Sequence, residues 1–412
     1  MGTRAIEPVD TIWLNMDRDN NLMVIESVMM LESPPDWERF LDVLQRRVVE
    51  VYPVFSQRPV RAAGGLPFLP SRWEDDTDFS LARHVHRVTL PAPGGDEELQ
   101  DYVTEHLSVR LPRDRPLWEM HLVDGYGEGA AVYSRLHHAM ADGIALMQVL
   151  LSLTDATAEG AAHASPAARR HTSGLLGTAV HRAGATASVL FDAPRLLTTS
   201  HLGDAVKLAA KATGATTKLL FARNPDSALS GVATVSKRAI WAPPIPLADV
   251  VAVAHGTGTT VNDVLMSALA GAVSTYLAAR HGQAVDIPTM VPVNLRPLDQ
   301  PLPRELGNRF ALVLFSLPSG LGTSFARLAE TKRRMDAIKT SPEALLTMGM
   351  IYGVGHTGPE LERLVVDFFA NKATGVTTNV PGPSTSRYVA GTRISAMLGW
   401  APESGNQALG TA

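Results

Sequence analysis

One stretch limits the possible folds more than any other. Residues 117–138, LWEMHLVDGYGEGAAVYSRLHH, read as two apolar strands joined at the Gly-rich turn Gly125–Gly129. The second strand runs without a break into His137 and His138, and AMADG follows before an apolar helix opens. With amphipathic helices on either side of it in the chain, this hairpin reads as part of a mixed α/β arrangement. A loop that only had to reverse the chain needs Gly143 and an Asp142 cap. The two histidines are an addition that turning does not explain.

The rest of the chain supplies the layers. DWERFLDVLQRRVVEVYPVF places Trp37, Phe40, Leu41, Leu44, Val48 and Val51 at helical spacing after Asp36. EELQDYVTEHLSVRL repeats the pattern with Leu99, Tyr102, Val103 and Leu107. The helix after Gly143 is expected to bury Ile144, Met147, Leu150 and Leu151. Residues 155 to 235 are rich in Ala, Thr, Ser and Gly and read as a crossover. Within it, HLGDAVKLAAKATGATTKLLF reads as an amphipathic helix with Lys207, Lys211 and Lys218, either packed on the second half or touching lipid. The α/β alternation then resumes. Helices are expected in LADVVAVAHG, TVNDVLMSALAGAVSTYLAARH and SFARLAETKRRMDAIKTS, and strands in VDIPTMVPVNLRP, NRFALVLFSLP, ATGVTTNV and RISAMLGWAP. The 412 residues thus divide into a first half (1–155), a crossover (156–235) and a second half (236–412).

Composition removes several classes of function. There is no Cys, so disulfides, thiolate metal sites and a Cys nucleophile are excluded. A net charge of −4 provides no global field for nucleic acid. The N-terminus lacks a basic-then-apolar leader pattern. VLMSALAGAVSTYLAA is interrupted by Ser267, Ser274 and Thr275 and is shorter than the roughly 20 residues of a spanning helix, so a cytoplasmic protein is expected. No GxSxG elbow, phosphate loop or GxGxxG turn is present. A zinc reading of HHxxxD fails because adjacent strand residues point to opposite faces. What remains is a histidine base near its working pH, with one ring nitrogen held and the other free. Without a covalent carrier, such a base suits direct transfer between two bound substrates.

LHHAMADG resembles the HHxxxDG motif of acyl-CoA-dependent acyltransferases. The chain as a whole is most similar to the bacterial wax ester synthase/diacylglycerol acyltransferase family. The similarity is carried by PVDTIWLNMDRDNNLMV, PLWEMHLVDG, TVNDVLMSALAGAV, VPVNLRP, LGNRF and TTNVPGP, in that order. It implies two chloramphenicol-acetyltransferase-like halves with the active site at their interface. It implies His138 as general base, with His137, Asp142 and Gly143 in support and Arg296 paired to Asp142. Asn262 and Asp263 would shape the site, and Thr377, Thr378 and Asn379 would offer oxyanion donors, Asn262 and Asp263 also reading as helix caps and 377–379 as a turn. Trp118 reads as a core aromatic.

The implied reaction moves a long-chain acyl group from acyl-CoA to diacylglycerol or a fatty alcohol. It needs neither metal nor cofactor, acyl-CoA being a substrate, and the enzyme would meet lipid peripherally, at the inner membrane or lipid inclusions. The resemblance also implies a further strand, a turn and a last helix beyond RISAMLGWAP, whereas here PESGNQALGTA follows, so the second half is expected to lack them. Two rivals stand beside this reading: a carrier-dependent condensation-type acyltransferase and a non-catalytic lipid-binding relative.

Overall fold

A computed structural model describes residues 2–61, 71–160, 219–281, 284–296 and 301–412, together with Gly214 and Thr217. In the first half the order is β1 (Thr3–Ala5), α1 (Pro8–Met16), β2 (Val24–Leu31), α2 (Trp37–Leu44), β3 (Gln57–Val60) and β4 (Arg72–Asp75). Then come β5 (Val85–Thr89), α3 (Asp96–Leu107), β6 (Trp118–Tyr126), β7 (Gly129–His137), α4 (Gly143–Ser152) and β8 (Thr154–Asp155). The later part holds α5 (Leu247–Thr257), α6 (Val261–His281), β9 (Ile287–Asn294), β10 (Phe310–Leu317), α7 (Ser324–Lys339), α8 (Glu343–Val354) and α9 (Pro359–Ala370). It closes with β11 (Gly375–Thr377), β12 (Tyr388–Val389), β13 (Thr392–Trp400) and β14 (Leu409–Thr411).

The expected hairpin is β6–β7, with nine residues in each strand. Every residue of β7 is buried, because both faces of the sheet are covered. Val132 and Leu136 pack with Phe40 and Leu44 of α2 and Leu146 and Leu150 of α4. Ala131 and Tyr133 face Leu99 and Val103 of α3. Asp36 caps α2 through the Arg39 N–H, as its sequence position suggested. The buried face of α4 is Ala145, Leu146, Val149 and Leu150, rotated from the expected set. Ile144, Met147 and Leu151 are only half-buried.

Two features correct the division made from sequence. The seven-stranded sheet runs β5-β6-β7-β2-β13-β12-β8, so residues 388–400 complete the first half's sheet rather than the second's. β13 lies antiparallel to β2, with Leu398 opposite Val28. The chain then returns, and β14 joins β10-β9-β11 as a strand parallel to β11. A strand therefore does follow β13, where none was expected. The segment just after the crossover is laid along α3: Trp241 Nε1 donates to Asp96, and the Ala239 N–H to Thr104 Oγ1.

α6 is, among the described residues, the helix long and apolar enough to cross a bilayer by length and composition. Its Met266, Ala270, Val273 and Leu277 pack instead with Ile287, Phe315 and Met335 in the second half's core. α8 and α9 were not foreseen. EALLTMGMIYGV carries one charged residue, the buried Glu343, and no clear helical period.

Candidate active site

His138 follows the last residue of β7 and is 7% exposed. Its N–H donates to the Met23 carbonyl at 2.7 Å, and its own carbonyl accepts from Asn308 Nδ2 at 2.8 Å. The imidazole stacks on Trp13 of α1, with ring centroids 4.2 Å apart, and faces Phe310 at 5.5 Å. Among the described residues neither ring nitrogen has a hydrogen-bond partner; Nδ1 is fully enclosed, and Nε2 is not. Burial pushes the ring's pKa down to about 4, against the pull of its own carbonyl and of Asp142. At neutral pH the imidazole is uncharged and able to accept a proton.

His137 points the other way, as the strand period requires. Its Nδ1 accepts from the Ala139 N–H at 3.1 Å, and its Nε2 lies 3.7 Å from Asp17. Burial lowers this histidine's pKa too. Asp17 also receives Arg110, Arg113 and the Met23 N–H. Burial alone would raise its carboxyl, but His137, that N–H and Arg110 outweigh it and hold it at about 2.

Asp142 caps α4 by accepting the Ala145 N–H at 2.9 Å. Its second oxygen accepts the Arg309 N–H at 2.9 Å and meets Arg296 at 3.5 Å. The expected Asp–Arg pair is present, although the cap and the Arg309 bond are the shorter contacts. Arg296 also donates to the Gly307 carbonyl at 2.8 Å, and burial lowers its pKa. Gly143 is not held by a positive φ; a Cβ there would meet open space at the mouth of α4.

Asp263 is fully buried and reciprocates with Thr260 in a capping box: its carboxylate accepts the Thr260 N–H at 2.9 Å, and its N–H donates to the Thr260 hydroxyl. The Thr378 N–H donates to Thr411 O, and the Thr377 hydroxyl meets those of Thr289 and Thr411. Asn379 is exposed, and its amide donates to Asn262 at 3.3 Å. Among the described residues, no hydrogen bond or ring contact joins Asn262, Asp263, Thr377, Thr378 or Asn379 to His138.

Trp13 also lines a second feature. An apolar cavity lies between α1, β10, α8 and α9, walled by Ile12, Trp13, Leu312, Met350, Ile351 and Phe369 among others. His138 and the cavity thus share one aromatic partition.

The family model for the wax ester synthase/diacylglycerol acyltransferase catalytic domain matches residues 6–265, and that for the family's C-terminal domain matches residues 306–412. The chain belongs to this family. A Mycobacterium tuberculosis protein named "Probable diacyglycerol O-acyltransferase tgs1" is 28% identical over 391 residues, covering 92% of this chain and 81% of its own length. The solved wax ester synthase/diacylglycerol acyltransferase of Marinobacter aquaeolei VT8 superposes with a TM-score of 0.64 at 22% identity, over 98% of this chain and 89% of that one. The first condensation domain of the calcium-dependent antibiotic synthetase gives 0.56 at 17% identity, over 99% and 88%. These structural likenesses speak for the two-halved fold.

Within the wax ester synthase/diacylglycerol acyltransferase frame, the residues that sequence reasoning left without a role are Asp10, Trp13, Asp17, Asn308 and Phe310. All lie in the quoted segments PVDTIWLNMDRDNNLMV and LGNRF. The segments were legible, but the contacts that assign roles within them join positions some 130 to 300 residues apart.

Proposed function

We propose that this acyltransferase moves a long-chain acyl group from acyl-CoA to the hydroxyl of diacylglycerol or a fatty alcohol, with His138 as general base. The carrying observation is the single partition: an uncharged imidazole with Nε2 open, stacked on the indole that walls an apolar cavity. Nε2 takes the hydroxyl proton as the alcohol oxygen attacks the thioester carbonyl. The tetrahedral oxyanion collapses, the C–S bond breaks, and the CoA thiolate takes the proton back from the imidazolium. The acyl chain occupies the cavity. The exposed amide of Asn379, beside Asn262, is the oxyanion donor in this reading.

Lipid contact has a structural counterpart. Leu361, Leu364 and Phe368 are exposed on α9 at i, i+3 and i+7, one helical face. Leu220 and Phe221 are exposed nearby, tied in by Lys372, which donates to the Leu220 carbonyl and lies over the Phe368 ring. The inner side of the same helix lines the cavity through Val365, Val366 and Phe369. We propose this face as the peripheral lipid contact. Lys207, Lys211 and Lys218, expected in that role, lie outside the described residues, and Leu219 is buried beside Met290 and Leu314.

The test is release of free CoA thiol from long-chain acyl-CoA with diacylglycerol or hexadecanol. His138→Ala should cut the rate by about 100-fold or more while leaving the melting temperature within a few degrees. His137→Ala should keep more activity and lose more stability, because it disrupts the Asp17 network. Near wild-type turnover in His138→Ala would overturn the base assignment.

A further inference from the structure

One buried network near His138 has no part in the proton transfers just described. Asp10 sits on α1, only 2% exposed. Its Oδ1 accepts two hydrogen bonds from a single residue of the other half, the Asn308 N–H at 2.9 Å and Asn308 Nδ2 at 2.8 Å. The same Nδ2 donates its other hydrogen to the His138 carbonyl at 2.8 Å. Both amide hydrogens are thereby fixed, and so is the orientation of the Asn308 side chain. Among the described residues its Oδ1 is buried without a partner, and so is His138 Nδ1. The acceptor and the ring nitrogen belong to residues already tied together.

The backbone is shaped for this contact. A Cβ on Gly307 would lie 3.1 Å from Asp10 Oδ2, so the glycine lets the 307–308 main chain press against the carboxylate. Burial pushes the Asp10 carboxyl up to about 6, opposed by the two Asn308 donors. A carboxylate buried at such a cost, with two bonds to one asparagine, is an expensive way to hold a loop unless the position of that loop matters.

We infer that Asp10 and Asn308 are positioning residues: Asp10 orients Asn308, and Asn308 fixes the carbonyl and ring of His138 so that Nε2 faces the substrate. This rests on the reading of His138 as the base. The relay spans the two halves, so it registers one against the other at the point where the proton moves. An error of about 1 Å there costs on the order of 100-fold in rate.

The experiment uses the full chain and the thiol-release assay, with Asp10→Ala, Asp10→Asn, Asn308→Ala and the Asp10→Ala/Asn308→Ala double variant. Asp10→Asn keeps an acceptor oxygen for both Asn308 donors. Asp10→Ala and Asn308→Ala should each lower kcat by about 100-fold with the KM for acyl-CoA within about twofold. Asp10→Asn should restore most of the loss, and the double variant should be no slower than the worse single one. Wild-type kcat in Asn308→Ala, an Asp10→Asn no better than Asp10→Ala, or multiplied losses in the double variant would each overturn the relay. His138→Ala runs alongside. If it is inactive while Asn308→Ala is normal, the relay alone fails; if it is active, the base assignment fails.

Discussion

The wall of residues 137–142 and the wall formed by β10, α8 and α9 meet at Trp13 and differ in kind. In the first, the polar side chains are tied by directional bonds: Asp142 takes two backbone N–H groups and an arginine, and His137 accepts the Ala139 N–H. The second is almost wholly apolar, with Met350, Ile351, Val366 and Phe369 enclosing empty space. Directional bonds hold the histidine side to a narrow geometry, which the proposed proton transfer requires because it needs hydrogen-bond reach. Contacts without direction on the other side can shift, as the proposed accommodation of acyl chains of different length requires. One site therefore combines a rigid face with an adaptable one.

The sharpest way to break this contrast is to loosen the rigid wall. Asp142→Ala removes the cap of α4 and the acceptor for the Arg309 N–H, and leaves the Arg296 guanidinium buried without its carboxylate. A loss of about 3–5 kcal/mol in chemical denaturation is expected. Arg296→Met should recover part of it in the double variant, and strict additivity would remove the pair.

A second test uses the histidine titration. His138 has a folded pKa of about 4 against an ordinary 6.5, so between those values the unfolded chain binds more protons. Its contribution to stability is complete above pH 6.5 and lost as the pH falls toward 4. Asp10, pushed up to about 6, has the opposite sign, so the difference between variant and wild type is the readout. Stability measured at pH 7.5 and pH 5 should fall less in His138→Ala than in wild type, and equal falls would contradict the burial of a neutral ring.

The smallest effect belongs to the adaptable wall. Ile351→Trp should fill the cavity and lower the rate with long-chain acyl-CoA by about tenfold relative to a short-chain one, at a stability cost of about 1–3 kcal/mol. Unchanged chain-length preference would place the acyl chain elsewhere.

The rigid wall was the more legible of the two from sequence. The β6–β7 hairpin, the histidine loop and α4 follow one another locally, and Asp142 reads as a cap because it stands before an apolar helix. Asp263 was equally readable as a cap, three residues after Thr260. The pairing of Asp142 with Arg296 came from family resemblance, since nothing local joins positions 154 residues apart. The adaptable wall was hidden for a different reason. α8 is apolar on most sides, so it has no strong period, and a cavity is a property of packing that no single segment encodes. The placement of β13 was invisible for the same reason as the Asp10–Asn308 contact: alternation predicts a strand but not its neighbour.

That placement has a consequence for how the protein is made. β2 spans residues 24–31 and is bordered by β7 on one side and β13 on the other. On a ribosome, its second neighbour arrives more than 360 residues later, roughly 20–70 s at ordinary elongation rates. Through that interval the nascent sheet carries an open edge of Val28, Met29, Met30 and Leu31, the kind of edge that recruits stray strands. The native sheet is thus completed by a late-synthesised strand, and the vulnerable period of this enzyme's life is the one before residue 400 is translated.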